Sequence, residues 1–381
     1  MTIGEVCSTI SDTYRAKADK VTLINTSDVL EGKVLNHTQV PNKELKGQFK
    51  KTFKKNDILY SEIRPQNKRF AFVDFDPVDY IASTKLMVLR ADASKVLPMY
   101  LYFYLKSAPV IAELQMLAET RSGPFPQITF TELSTLSIPV PSITEQEVIV
   151  TTIKSIEDKI DCNADINDNL QQQAFALFDK LLTTEHPESC SLSEIAELNP
   201  KRSLAKNEMA RYIDMAQLST SGSFPNGWEI KPYNGGMRFK NGDTLLARIT
   251  PCLENGKTAY IDFLDTNEVA FGSTEYVVMC SQGQYPSEFF YCLARYPSFV
   301  DYAVKNMNGS SGRQRVTAET IGKYSLPQLT DDELSEFRDV VPVLFSTMRL
   351  NSLENIHLSE LRDALLPKLM SGEIDVSDIQ L

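Results

Sequence analysis

The stretch from Thr144 to Leu182 constrains this chain more than any other. Its apolar positions fall at Ile149, Ile153, Ile156, Ile160, Leu170, Ala174, Leu177 and Leu181, with Asn163 and Asn167 in two further slots. The steps alternate four and three, which is the seam of a coiled coil rather than a broad globular face. At 1.5 Å per residue a helix over this stretch is about 60 Å long. That is too long for one compact domain, so the expectation is a helix that connects two bodies and needs a partner helix. The sequence supplies one. Phe337, Val341, Leu344, Met348, Leu358, Leu365 and Leu369 repeat the spacing, with Asn351 and Asn355 at the same polar slots.

Sliding the chain on itself by 188 residues aligns the two helical stretches without a gap. Pro139 falls on Pro327, Glu145 on Glu333, Asn163 on Asn351, Asn167 on Asn355, Leu170 on Leu358 and Leu177 on Leu365. Upstream, Asp57-Ile-Leu-Tyr-Ser-Glu-Ile-Arg-Pro65 matches Asp243-Thr-Leu-Leu-Ala-Arg-Ile-Thr-Pro251. Ser83-Thr84 matches Ser273-Thr274, Ser122-Gly123 matches Ser311-Gly312, and Ile128-Thr129 matches Val316-Thr317. Matches in one order near one offset indicate a duplicated domain, at a period too long for a solenoid. The expected parts are a globular body over 1–142, a long helix over 143–185, a second body over 186–328, and a second long helix with its tail over 329–381.

Each body reads as α+β. Strands are expected at 58–63, 69–75 and 85–90, and again at 244–249, 258–263 and 276–280, bounded by Pro, Gly and Asn. An aromatic-rich helix follows each set, near 99–106 and 287–296. Ile138-Pro-Val-Pro141 and Leu326-Pro327 then halt regular structure. Thr144 and Thr330 are the expected helix caps, followed by acids in the first turn. Pro342 should kink the second helix or delay its start, and Pro367 should bend its last turns.

The net charge of −11 is unevenly placed. Residues 144–185 carry a net −6 and residues 329–381 a net −7, which leaves +2 for everything else. From Lys43 to Arg69 there are nine Lys/Arg against three Asp/Glu. Bulk acidity therefore does not argue against contact with an anionic polymer. No apolar run approaches the roughly 20 residues of a membrane span, and Met1 to Lys20 lacks a secretory pattern. The expectation is a cytoplasmic protein with no membrane partner. Cys7, Cys162, Cys190, Cys252, Cys280 and Cys292 are scattered, and His37, His186 and His357 have no ligand spacing, so neither a metal site nor a disulfide framework is indicated.

No catalytic constellation appears: no phosphate loop, no dinucleotide turn, and no Asn/Asp-Pro-Pro-aromatic motif, since Asn199-Pro200-Lys201-Arg202 lacks the second Pro and the aromatic. Two bodies on long helices suit a target in two parts. A ruler along DNA, with one turn every 34–36 Å or so, and a scaffold hairpin between proteins both fit the geometry. The residue chemistry favours DNA. Lys43, Lys46, Lys50, Lys51, Lys54 and Lys55 suit phosphate, although a solvated loop is the plainer reading of any Lys run. Arg64, Gln66, Asn67, Lys68 and Arg69 lie between two expected strands, and such side chains match guanine and adenine edges. Their counterparts lie in Arg248 to Lys257, with Thr250 and Asn255. Thr84 and Thr274 fall in the matched Ser-Thr pairs. The best candidate is Asn308-Gly-Ser-Ser-Gly-Arg-Gln-Arg315, in which Ser311, Arg313, Gln314 and Arg315 follow a glycine that permits close approach to phosphate. Its first-half partner, Arg121-Ser-Gly-Pro-Phe-Pro-Gln127, offers Arg121, Ser122 and Gln127. Trp228 reads as core.

With these features assembled, the chain resembles the specificity subunits of type I restriction–modification systems. The resemblance rests on the duplication, the Asp57–Pro65 and Asp243–Pro251 strings, Ile138-Pro-Val-Pro followed by Thr144-Glu145-Gln146, the heptad helix ending Ala176-Leu-Phe178, and Leu361-Arg-Asp-Ala-Leu-Leu-Pro-Lys-Leu-Met-Ser-Gly-Glu-Ile374. It covers nearly the whole chain. It implies two mixed α/β target-recognition domains in a pseudo-two-fold repeat, separated by two long helices paired as an antiparallel coiled coil. Each domain would read half of a bipartite site on double-stranded DNA. The helices would set the spacing and dock two modification (methyltransferase) subunits, which methylate adenine, and nuclease–translocase restriction subunits would join them. S-adenosylmethionine, ATP and magnesium would belong to those partners; this chain would bind no cofactor and perform no chemistry. The runner-up is a coiled-coil adaptor between proteins, without DNA binding. The sequence departs from its own pattern where Gln146 meets Leu334, at Pro342, and at Pro124 and Pro126, which replace bases in the first contact loop.

Overall fold

The computed structural model describes residues 1–381 except 44–46, 121–124, 185–187, 311 and 378–381. Its contacts divide into two compact units, Met1–Asp158 with Ser359–Leu381, and Lys159–Leu358.

The central sheet of the first unit has strands Cys7–Ile10, Leu86–Ala91, Ile58–Ser61 and Phe70–Phe72 in that order, all antiparallel. Successive side chains alternate between its faces. Ile58, Tyr60, Met87 and Leu89 join the core shared with helices Pro98–Lys106 and Ala108–Glu119. Leu59, Ala71, Leu86 and Val88 point the other way, against Ile24, Phe53 and Ala82 of the second-sheet side. Burial on both faces is why these strands are continuous apolar runs. The second sheet has the order Gln39–Pro41, Lys20–Ile24, Tyr80–Ser83 and Phe49–Lys51, and its middle pair is parallel.

The second unit has the same plan. Its central sheet runs Ala196–Leu198, Tyr276–Ser281, Thr244–Ala247 and Thr258–Tyr260. Leu246, Tyr260, Val277 and Met279 face the helical core, while Leu245, Ala259, Tyr276 and Val278 face Ile213, Phe239 and Ala270. Its other sheet runs Glu229–Pro232, Met209–Ile213, Ala270–Gly272 and Met237–Phe239, again with a parallel middle pair. Both sheet orders and the parallel pair therefore occur once in each unit. All six expected strands are present, most of them shorter than expected. Leu326-Pro327, expected to stop regular structure, lies in a short strand, Ser325–Pro327, paired with Ser189–Ser191. The strand ends at the proline, which has no N–H to continue a ladder.

The long helices are Ile143–Thr183 and Asp331–Ser371. Thr330 caps the second through its reciprocal bonds with Glu333. The first is capped by Ser142, not Thr144. Ser142 Oγ and N both donate to Glu145, and Glu145 N donates back, so the capping box closes directly after Pro141 and leaves Thr144 inside the first turn. Pro342 does not delay the second helix, which runs unbroken through Pro342 and Pro367. Phe337, Val341 and Phe345, all buried, anchor it on both sides of Pro342. Gln146 is fully buried; its amide donates to Lys95 O and Pro141 O and accepts from Leu97 N, tying the helix to the loop before Pro98–Lys106. The apolar Leu334, equally buried, occupies the matching position.

Within the second unit the helices pair in opposite directions. Asn163 donates to Asn355 at 2.9 Å and to Glu354 at 2.8 Å, Asn351 donates to Asn167 at 2.9 Å, and Lys180 reaches Glu336. Within the first unit, Ile149 and Ile153 share a core with Leu366, Leu369 and Met370. Ile156, Ile160, Leu358 and Leu365 are half-buried. In the second unit Asn163, Gln171, Ala174 and Phe178 are the buried positions of the first long helix, while Leu170 and Leu177 are half-buried; on the other helix Val341 and Met348 are buried and Leu344 is half-buried.

Thiol chemistry follows this burial. Cys162 is exposed on the first long helix, whereas Cys7, Cys190 and Cys292 are buried. Burial pushes the Cys7 thiol up to about 12, and only the thiolate attacks. At pH 8, iodoacetamide should therefore alkylate Cys162 of the native protein well before Cys7, Cys190 or Cys292, as read by peptide mass spectrometry. Early labelling of Cys7 would contradict the fold of the first sheet.

Candidate nucleic-acid interface

In each unit the main chain joins three loops that are far apart in sequence. In the first, Glu62 N donates to Lys85 O at 3.0 Å, Ile128 N to Glu62 O at 2.9 Å, and Arg64 N to Pro126 O at 3.0 Å. Ile63 and Gln127 form an antiparallel bridge. In the second, Arg248 N donates to Glu275 O at 3.0 Å, Val316 N to Arg248 O at 3.0 Å, and Thr250 N to Gln314 O at 3.1 Å, with a bridge between Ile249 and Arg315. Segments picked out separately in the sequence thus meet at one junction per unit. Asn308 and Arg315 exchange two backbone bonds of 2.9 Å and close the second unit's loop. Gly309 sits there at φ +129°, where a Cβ would lie 3.0 Å from Arg313 O, so the turn requires glycine.

The junction gathers some candidates and redirects others. Arg64 is exposed, in a left-handed conformation at φ 46°, with its guanidinium 5.4 Å from the Phe125 ring centre. Gln66 is exposed, and its N–H donates to Gln115. Thr84 N donates to Gln48 O, which brings strand Phe49–Lys51 beside the junction with Lys50 exposed. Lys51 turns inward, and its ammonium donates to Thr84 O at 3.1 Å and Leu86 O at 2.8 Å. Burial lowers its pKa. Lys51 therefore holds the turn. Arg69 and Lys257 also bind carbonyls, those of Ser27 and Met215, and tie their strands to neighbouring loops. Lys68 pairs with Glu31 at 3.1 Å. Lys54 is exposed but precedes Asp57, at the far end of strand Ile58–Ser61 from Arg64. Thr274 and Arg313 are exposed; Thr250 Oγ accepts from Gln314 N at 3.1 Å. Arg121, Ser122 and Ser311 lie outside the described residues.

All three guanidinium nitrogens of Arg315 are engaged. Its Nε and Nη2 donate to Glu275 at 2.7–2.9 Å, and its Nη1 donates to Arg313 O. Arg248 Nε reaches the same carboxylate at 3.2 Å. Arg315 first, then Arg248, hold the Glu275 carboxyl below its ordinary value. By linkage, the cluster stabilises the folded loop at neutral pH and loses that contribution as pH falls through the lowered value.

A family model described as the type I restriction modification DNA specificity domain matches residues 1–172. The specificity subunit of the type I restriction enzyme HindI from Haemophilus influenzae is 31% identical, over 98% of this chain and 98% of its own length. The chain belongs to the specificity subunits of type I restriction enzymes. The specificity subunit of MjaIX from Methanocaldococcus jannaschii is 23% identical over 80% of this chain and 77% of its own. The solved S subunit from M. genitalium shares the fold, with a TM-score of 0.58 at 15% identity across 97% of this chain and 95% of that one. As a member of this family the chain is a non-catalytic recognition subunit.

In this specificity subunit Glu62, Lys85 and Glu275 join the junction without having been candidates from the sequence. A signal was present. Lys85 and Glu275 directly follow the matched Ser-Thr pairs, and Glu62 falls opposite Arg248 within the matched strings. Both positions carry opposite charges in the two halves, so identity between the halves does not mark them. Among the described residues no cluster of three or more His, Cys, Asp or Glu is arranged to hold a metal, and no helix is long and apolar enough to cross a membrane.

Proposed function

We propose that this specificity subunit reads a two-part site on double-stranded DNA, one half through each unit. The reading is carried by the three-loop junction, which recurs in both units and groups Arg64 and Gln127 in one, Arg248, Thr250 and Arg313 in the other. Guanidinium and amide groups on a backbone-locked loop are the chemistry that reads base edges. Exposed Lys50 beside the first junction supplies sequence-independent phosphate contact. In this reading the halves descend from one duplicated unit, and the long helices form an antiparallel coiled coil that sets the spacing between half-sites. Their acidic faces dock two methyltransferase subunits. Restriction subunits complete the complex, which works in the cytoplasm. S-adenosylmethionine, ATP and magnesium are bound by those partners.

Co-producing the chain with a type I modification subunit and mapping methylated adenines across a genome tests this. The expected result is a two-part motif with a fixed gap. Methylation without such a motif, or with a contiguous one, would overturn the proposal.

A further inference from the structure

The three loops at each junction place one side chain apiece in a cross-strand row. In the first unit the row is Lys85, Glu62 and Gln127. Lys85 Nζ lies 3.3 Å from Glu62 Oε2 and donates to Gln127 Oε1 at 3.4 Å. In the second unit it is Glu275, Arg248 and Arg315, with Glu275 bound to both arginines. The backbone bonds that order the rows are the same in both units. The central residue, the one on the middle segment of the backbone ladder, is Glu62 in one unit and Arg248 in the other, and the residue that contacts both remaining side chains, Lys85 or Glu275, changes sign with it. Within one chain this is a compensated charge reversal: the cross-strand pair survives while the group at its centre changes from acceptor to donor.

Among the described residues, the partners' bonds leave different atoms free. Arg315 spends every guanidinium nitrogen on Glu275 and on Arg313 O, so it serves as a buttress. Arg248 uses only Nε on Glu275, which leaves its terminal nitrogens as a donor fork. In the first row Lys85 occupies Oε2 of Glu62 and Oε1 of Gln127, which leaves Glu62 Oε1 as an acceptor. An arginine fork matches guanine O6 and N7; a carboxylate matches an exocyclic amine, foremost cytosine N4.

We infer that the central residue of each row determines specificity: Arg248 selects a guanine in the second unit's half-site, and Glu62 selects a base bearing an exocyclic amine in the first's. Lys85, Glu275 and Arg315 are positioning residues that hold the central side chain in place. The inference rests on the DNA-reading proposal above and adds the base class read at one position per half-site.

The test enriches a duplex pool with about 30 randomised base pairs, a length spanning roughly three turns of DNA, on the full chain and its variants. Wild-type enrichment of no two-part motif would overturn the DNA-reading proposal and this inference with it. Given a wild-type motif, Arg248→Gln should reduce discrimination for guanine at one position of one half by roughly ten- to a hundredfold, leaving the other half unchanged. The paired swap Glu62→Arg with Lys85→Glu should change one position of the opposite half from an amine-bearing base to guanine. Each single swap leaves like charges facing each other and should melt below the pair, and the double variant should regain stability. Regained stability with an unaltered motif would show a structural pair only and overturn the inference. Should the swapped variants fail to fold, Arg248→Gln with an unaltered motif overturns it alone.

Discussion

Replacing Asp243 with Ala is expected to destabilise the second unit by about 3–5 kcal/mol, the usual result of removing one partner from a buried ion pair. The Asp243 side chain is fully buried and accepts from Arg202 Nη2 at 2.6 Å and from Lys240 N at 2.8 Å. The Arg202 side chain is only 8% exposed. Alanine would leave that guanidinium without a counter-charge where water cannot replace it. Trp228, the one tryptophan, stacks on Phe263 in this unit at 4.5 Å, so its fluorescence reports unfolding there. The urea midpoint should fall by on the order of 1 M or more; an unchanged midpoint would mean that Arg202 finds solvent. Asp57 holds the same repeat position, but its partner Arg90 is 33% exposed and water can reach it. Asp57→Ala should therefore cost less, about 1–3 kcal/mol, read by far-ultraviolet circular dichroism.

That pair shows what the sequence could reveal. Asp57 and Asp243 head the two matched strings and are visible by comparison alone. Their arginines are not, because one comes from Leu86–Ala91 and the other from the segment after Ala196–Leu198. Proximity of that kind is a product of folding. The central strands were legible because both faces are buried, which writes apolar runs such as Leu86-Met-Val-Leu89. The outer sheets were not. Gln39–Pro41 is exposed throughout and Phe49–Lys51 is three residues long, so neither carries a period that a sequence reading can detect. At the junctions, the loop segments were legible from the repeat. The commitments of Lys51, Arg69, Lys257 and Arg315 to main chain or carboxylate were not, since a basic side chain reads the same whether it faces solvent or folds back.

The seam of the first long helix gives the second large effect. Phe178→Ala should remove about 3–5 kcal/mol from the second unit, again read by Trp228 fluorescence in urea. The Phe178 ring is 1% exposed and packs against Phe289 at 4.8 Å, Tyr296 at 5.5 Å and Phe337 at 6.3 Å. Leu177→Ala should cost less, about 1–2 kcal/mol, because a half-buried leucine loses only part of its transfer free energy. A strict heptad ranks these two the other way, with Leu177 in the seam. The helix decides between them through its turn angle. At about 100° per residue, position 178 lies roughly 20° from the direction of Ile149, and position 177 about 80° away. The buried stripe of Ile149, Ile153, Asn163, Gln171, Ala174 and Phe178 follows that straight-helix period. A larger loss from Leu177→Ala than from Phe178→Ala would mean that the helix supercoils as the heptad spacing implies, and the packing of Phe289 and Phe337 on this helix would have to be redrawn.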